Sequence, residues 1–114
     1  GAGALILDEL YVENAELDLQ RNTRLLTIQA RQAVQNVMSG YSLIETAQLG
    51  YEQATENLRI MREKYDENYC TLTDLLDAQS QWQQAECNLI EAKTQYKISE
   101  SEYLKAIGKL GEKK

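Results

Sequence analysis

The chain has 114 residues, no Pro and no Phe, a hydrophobic content of 43% and a formal net charge of -6. An acidic chain without a basic stripe excludes a nucleic-acid surface, and no apolar run approaches the ~20 residues that span a bilayer. The absence of His and of a Cys-x-x-Cys motif argues against a zinc site or a thiol redox centre, so we expect no metal and no cofactor.

The composition predicts one all-α unit built from few, long helices. Ala, Leu, Glu, Gln and Lys are strong helix formers, and the absence of Pro removes the commonest helix breaker. We interpret residues 1–7 as a tag remnant or frayed end, because Gly1-Ala2-Gly3 is typical of one. Asp8 and Glu9 supply the negative charge that a helix N-terminus favours, so the first helix is predicted to begin between residues 5 and 9.

A seven-residue repeat with two positions per heptad runs through both halves of the chain, and we call these positions the seam. One position is bulky and the other, three residues later, is small. In the first half the bulky positions are Ala30, Val37, Ile44, Tyr51, Leu58 and Tyr65, and the others are Ala33, Gly40, Ala47, Ala54 and Met61. In the second half the bulky positions are Leu75, Trp82, Leu89, Tyr96, Tyr103 and Leu110, and the small ones are Ala78, Ala85, Ala92, Ser99 and Ala106. The repeat predicts a long antiparallel coiled-coil helical hairpin.

The pairing register of this hairpin remains open from the sequence. A bulky side chain of one helix is accommodated opposite a small one of the other, and two registers satisfy this rule. One places Trp82 level with Ala54 and the other places it level with Met61. Gly40 faces a tyrosine of the second helix in both registers, which gives this glycine a packing role.

The two arms are predicted to be unequal, at about residues 8–67 and 72–108. The bulky stripe fails upstream of Ala30, where Thr23, Glu16 and Glu9 occupy its positions. The second helix is predicted to end between Gly108 and Gly111, beside Lys105, Lys109, Lys113 and Lys114. The first arm then has uncovered apolar residues, namely Leu10, Leu17, Leu19, Leu25, Leu26 and Ile28. We therefore predict self-association or a missing neighbouring segment.

The reversal between the helices lies within residues 65–79, which we call the tip. Asn68 suits a left-handed C-cap, Thr71 with Asp74 matches a capping box, and Asp77 complements the dipole of the second helix. A pair of aspartates at a helix start is typical of capping, and no catalytic partner accompanies this pair. We do not expect an enzyme.

Cys70 and Cys87 are predicted to be free thiols. If residues 72–107 are helical, seventeen residues at ~1.5 Å each separate the two by about 25 Å, too far for a disulfide. Cys70 is expected on an exposed loop, where it is able to cross-link two molecules under oxidising conditions. Cys87 is expected on the outer face of the second helix.

The tip sequence, Tyr65-Asp66-Glu67-Asn68-Tyr69-Cys70-Thr71-Leu72-Thr73-Asp74-Leu75-Leu76-Asp77-Ala78-Gln79, resembles the outer-membrane efflux protein family, the TolC-like export ducts. The family pattern is roughly Tyr-x-x-Gly-x-x-Thr-x-x-Asp-x-Leu-x-Ala-Gln, and Asn68 replaces its Gly. The resemblance also includes the Ala-rich seven-residue repeat and the segment Tyr103–Gly108, so it covers about residues 10–110. It implies that residues 1–114 are a soluble fragment, one hairpin of the periplasmic helical tunnel of a trimeric bacterial outer-membrane protein.

The resemblance also implies a function in transport, by efflux or type I secretion. The tip would gate the duct and dock a periplasmic adaptor (membrane fusion) protein and, through it, an inner-membrane pump. The adaptor-facing residues would be Tyr65, Asn68, Tyr69, Cys70 and Thr71, and the acidic positions near the aperture would be Asp74 and Asp77. The alternative is a generic structural coiled-coil scaffold or interaction segment, in which the tip only turns the chain.

Overall fold

A computed structural model describes residues 1–112, which form two antiparallel α-helices. Helix α1 spans Ala2–Asp66 and has 65 residues, and helix α2 spans Leu72–Glu112 and has 41 residues. The hairpin measures 99 × 21 × 13 Å. The prediction of an all-α helical hairpin with unequal arms is confirmed.

The core of the hairpin is the seam. Every buried residue in the described part of the chain is a seam residue; these are Ala33, Gly40, Leu58, Ala78, Leu89 and Ser99. The other seam positions are half-buried, except Tyr65, which is 38% exposed at the tip. Two helices without a third layer bury only the seam stripe of each helix. The seven-residue repeat therefore decides which side chains are removed from water.

Contacts of Trp82 settle the register. Its indole Nε1 donates a hydrogen bond to Thr55 Oγ1 at 3.0 Å, and its ring centroid lies 6.0 Å from that of Tyr51. These contacts place Trp82 level with Ala54 and exclude the register in which it faces Met61.

Gly40 confirms the same register from the other end of the seam. A Cβ built on Gly40 would lie 3.5 Å from Cδ2 of Tyr96, so the expected tyrosine opposite this glycine is Tyr96. The ring of Tyr96 also meets Tyr41 edge-on, with centroids 6.3 Å apart. A contact of 3.5 Å is ordinary van der Waals distance, so the site would accept alanine but not a larger side chain.

The register leaves residues 2–23 of α1 without a partner helix, and we call this segment the extension. Counting outwards from Gly40 and Tyr96, the last residue of α2 lies level with Arg24. Every residue of the extension is exposed. The apolar residues predicted to lack cover are about half exposed at Leu10, Leu17, Leu19, Leu25 and Ile28, whereas Leu26 is half-buried.

The N-terminal boundary predicted from the sequence is wrong. Helix α1 begins at Ala2, and the carbonyl of Gly1 accepts hydrogen bonds from the backbone N–H groups of Ala4 (3.2 Å) and Leu5 (3.5 Å). Residues 2–7 are therefore helical, and Asp8 and Glu9 lie beyond the first turn. The helix formers between residues 4 and 7 outweigh the cost of Gly3, which is about 1 kcal/mol.

The C-terminal boundary also differs from the prediction. Gly108 and Gly111 are both helical, and no glycine in residues 1–112 has a positive φ. A glycine ends a helix when it adopts the left-handed conformation, and neither of these does. Lys109 lies in the last turn of α2, while Lys113 and Lys114 lie outside the described residues.

Candidate functional site: the tip

Helix α1 ends at the tip in a Schellman motif centred on Asn68. Asn68 has φ 63°, and its N–H donates to the carbonyl of Tyr65 at 3.0 Å. The N–H of Tyr69 donates to the carbonyl of Lys64 at 2.6 Å. These two bonds satisfy carbonyls that a helix end leaves without partners. The predicted left-handed C-cap is confirmed, and Asn is the non-glycine residue that tolerates it best.

Helix α2 begins at Leu72, and Thr71 and Asp74 form a reciprocal capping box at its start. The N–H of Thr71 donates to Asp74 Oδ2 at 3.1 Å, and the N–H of Asp74 donates to Thr71 Oγ1 at 3.1 Å. The exchange satisfies two backbone donors at the start of the helix. The predicted capping box is confirmed. Its hydrogen bonds fix the loop at the start of α2, and those of the Schellman motif fix it at the end of α1.

Tyr69 is the most prominent side chain of the tip. It is 77% exposed, and its backbone is held by the Schellman motif. Asn68 and Thr71 are also exposed, and Tyr65 is exposed at the edge of the seam. The loop therefore presents an aromatic ring and two small polar side chains on a fixed backbone.

The two acidic positions have different surroundings. Asp74 accepts the Thr71 N–H, so one of its oxygens is used by the cap. Asp77 is exposed one turn further along α2 and makes no hydrogen bond to the described residues. Residues three apart on a helix share a face, so Asp74 and Asp77 lie on the same face of α2.

Cys70 is less accessible than the sequence led us to expect. Its side chain is half-buried, and Sγ donates a weak hydrogen bond to the carbonyl of Met61 at 3.5 Å. The tight turn folds the thiol back against α1, so the prediction that Cys70 is exposed is wrong. Cys87 is exposed on α2, as predicted, and both thiols are free.

An ion-pair network near the tip was not predicted. Arg59 Nη1 lies 2.7 Å from Glu63 Oε1, and Arg59 Nε donates to Glu56 Oε2 at 3.0 Å. The hydrogen bonds from Arg59 lower the pKa of Glu56 below its ordinary value, and the two carboxylates raise the pKa of Arg59. The i, i+3 and i, i+4 spacing of these residues was the signal available in the sequence.

The described residues contain no cluster of His, Cys, Asp and Glu able to hold a metal ion, and neither helix has an apolar stretch long enough to cross a membrane. Comparison of the chain with protein-family models, with curated proteins and with solved structures finds no match. The tip is the candidate site because it combines a fixed backbone with exposed side chains.

Proposed function

We propose that this chain is a periplasmic coiled-coil hairpin of an outer-membrane export duct, with helices that form tunnel wall and a tip that gates the duct and docks a periplasmic adaptor. The observation that carries the proposal is a match between the tip pattern and its local geometry. The Thr and Asp of the TolC-like pattern are Thr71 and Asp74, the two members of the capping box. The pattern's Gly is replaced by Asn68, which has the positive φ that favours glycine.

The preorganised loop supports the docking role. Both helix ends are capped, so a partner that binds the tip does not have to order the backbone first, and this lowers the cost of association. Tyr69 offers a rigid aromatic surface with a polar end, the kind of side chain that dominates binding interfaces. An adaptor hairpin would contact this ring and the exposed polar groups of Asn68 and Thr71.

The charge of the tip supports a partner with basic groups. Residues 65–79 contain four carboxylates, at Asp66, Glu67, Asp74 and Asp77, and no Lys or Arg. Opposite potentials steer partners together and suppress incorrect ones. Of the two acidic positions Asp74 and Asp77, Asp77 is better able to contact a partner or narrow an aperture, because the capping box already uses Asp74.

Binding of an isolated adaptor hairpin from the same source organism tests the docking role. Tyr69→Ala should weaken binding at least about tenfold, as expected of an exposed aromatic anchor. Tyr11→Ala is a matched control, because Tyr11 is also 77% exposed but lies near the other end of α1. Equal affinities for the two variants would contradict docking at the tip.

The flanking sequence separates the duct from the alternative, a structural scaffold. The full-length protein of a duct should contain strand-like alternating segments and a second copy of the tip pattern. A full-length chain with neither feature, together with a tip that does not bind an adaptor, would favour the scaffold.

A further inference from the structure

The hairpin is a ribbon one helix thick, 99 Å long, 21 Å wide and 13 Å deep. It therefore has two broad sides, each formed by one face of α1 and one face of α2. A groove on one side is lined by residues that include Leu43, Thr46 and Gly50 of α1 and Asn88, Glu91 and Gln95 of α2, and we call this the amide side. A groove on the other side is lined by residues that include Arg59, Arg62, Gln79 and Trp82, and we call this the charged side.

The two broad sides differ in charge. Residues nine apart lie on opposite sides of a helix, because nine residues turn it by about 900°. Gly50 and Arg59 are one such pair, and Asn88 and Lys97 are another. Over residues 36–57 and 81–98, five charged residues lie on the charged side; they are Glu45, Glu52, Glu86, Lys93 and Lys97. Over the same ranges the amide side has one, Glu91, and its other residues are mostly Asn, Gln, Ser or Thr.

Asp77 lies on the amide side. It precedes Gln81, Gln84 and Asn88 by four, seven and eleven residues, spacings that return to the same face of a helix. In the function proposed above, Asp77 is the carboxylate better able to narrow the aperture, so it points towards the axis of the duct. The side of the ribbon that continues from Asp77 then points towards the same axis.

The chemistry of the amide side also suits the wall of a conduit. A solute passes through a channel only when its contacts are weak enough for it to leave. Asn and Gln side chains both donate and accept hydrogen bonds, so they accommodate solutes of either charge. A wall with fixed charges of both signs, like the charged side, would retain ionic solutes by opposite charge.

We propose that the amide side faces the lumen of the duct, and that charge selection of the transported solute takes place at the tip rather than along the wall. The inference rests on the function proposed above. The substrate class that it implies is hydrophilic solutes that contact the wall through hydrogen bonds rather than ion pairs. In the trimer that the resemblance implies, three copies of Asp77 supply the selecting charge.

Ion selectivity of the full-length protein in planar lipid bilayers tests the proposal. Gln81→Lys places a cation on the amide side. Gln79→Lys is the matched control, because both are exposed glutamines of α2 and two residues, about 200°, separate them. At about 0.01 M salt the Debye length is about 30 Å, so a charge that faces the lumen acts across it. Gln81→Lys should lower the ratio of potassium to chloride permeability at least about twofold, and Gln79→Lys should leave it unchanged.

Asn88→Lys provides a second variant of the amide side, further from the tip, and should act like Gln81→Lys. Circular dichroism of the hairpin carrying each substitution checks that it still folds. A channel that responds to Gln79→Lys as strongly as to the amide-side variants, or to none of them, would overturn this inference and leave the duct in place. A full-length protein that forms no channel would contradict the proposed function itself, so the two failures are distinguishable.

Discussion

The extension and the paired part of α1 belong to one continuous helix but differ in how their apolar side chains are distributed around it. In the paired part, both seam positions of α1 are apolar, and α2 covers only the stripe that they form. In the extension the bulky stripe is replaced by Glu9, Glu16 and Thr23, and apolar side chains occur on several faces. A longer α2 would therefore find a poor seam there. Within residues 1–112, α1 carries the two-stripe pattern in the part that α2 covers and lacks it in the extension.

The largest expected difference between the two regions concerns leucines. Leu58→Ala should lower the free energy of unfolding by about 2–5 kcal/mol, because Leu58 is only 5% exposed and its loss leaves a cavity in the seam. Leu19→Ala should change it by less than about 0.5 kcal/mol, because Leu19 is exposed in the extension. Urea unfolding followed by circular dichroism measures both. Equal losses would mean that the extension is covered in the same way as the seam.

The glycines of α1 give a second, smaller contrast within the paired part. Gly40→Leu should cost about 1–3 kcal/mol, because only ordinary contact distance separates this backbone from Tyr96. Gly50→Leu should not destabilise, because a Cβ at Gly50 meets nothing within 4 Å and leucine is a better helix former. Thermal unfolding of the two variants compares them. Destabilisation by both would indicate a close neighbour at Gly50 as well.

Loss of the cap at the tip should cost about 1 kcal/mol in Thr71→Ala, because the N–H of Asp74 loses its acceptor. Thr94→Ala is the matched control, since Thr94 lies inside α2 and only hydrogen-bonds back to the carbonyl of Ile90. That substitution should be neutral or slightly stabilising. The same unfolding measurement applies, and a Thr71→Ala variant as stable as the control would contradict the capping role.

The smallest expected effect tests the polar stripe of the extension directly. Glu16→Leu restores an apolar residue at a bulky seam position, but α2 does not reach this level of α1. The free energy of unfolding should therefore change by less than about 0.5 kcal/mol. A clear gain in stability would show that something already lies against this side of the extension.

The seven-residue spacing was sufficient to predict the hairpin and its seam, and the residue types Asn68, Thr71 and Asp74 were sufficient to predict the caps of the tip, because each depends on local pattern and helix geometry. The register was not predictable, since both candidates place bulky residues against small ones. The contacts of Trp82 with Thr55 and Tyr51 distinguish them. The two inner helix ends, at Asp66 and Leu72, lie within one residue of the prediction, whereas the two outer ends were missed. A glycine ends a helix only when its backbone adopts the left-handed conformation, which composition does not reveal.

At the tip, the sequence identified the residues that turn the chain but not how exposed each would be. Cys70 was expected to be exposed, yet the turn folds its thiol against the Met61 carbonyl. Asp74 and Asp77 were both assigned to the aperture, whereas one oxygen of Asp74 already accepts the Thr71 N–H. These differences depend on side-chain direction at a tight turn, which spacing alone does not encode. The adaptor-docking role remains a prediction from the resemblance.

The indole of Trp82, the only tryptophan in the chain, provides an optical probe of the paired region. Its N–H is bonded across the seam to Thr55, so separation of α2 from α1 would hydrate the ring and shift its fluorescence to longer wavelength. The extension contains no tryptophan, so unwinding or association there would leave the emission nearly unchanged while circular dichroism or sedimentation responded. Fluorescence and circular dichroism recorded on one sample would thus report separately on the two regions of α1.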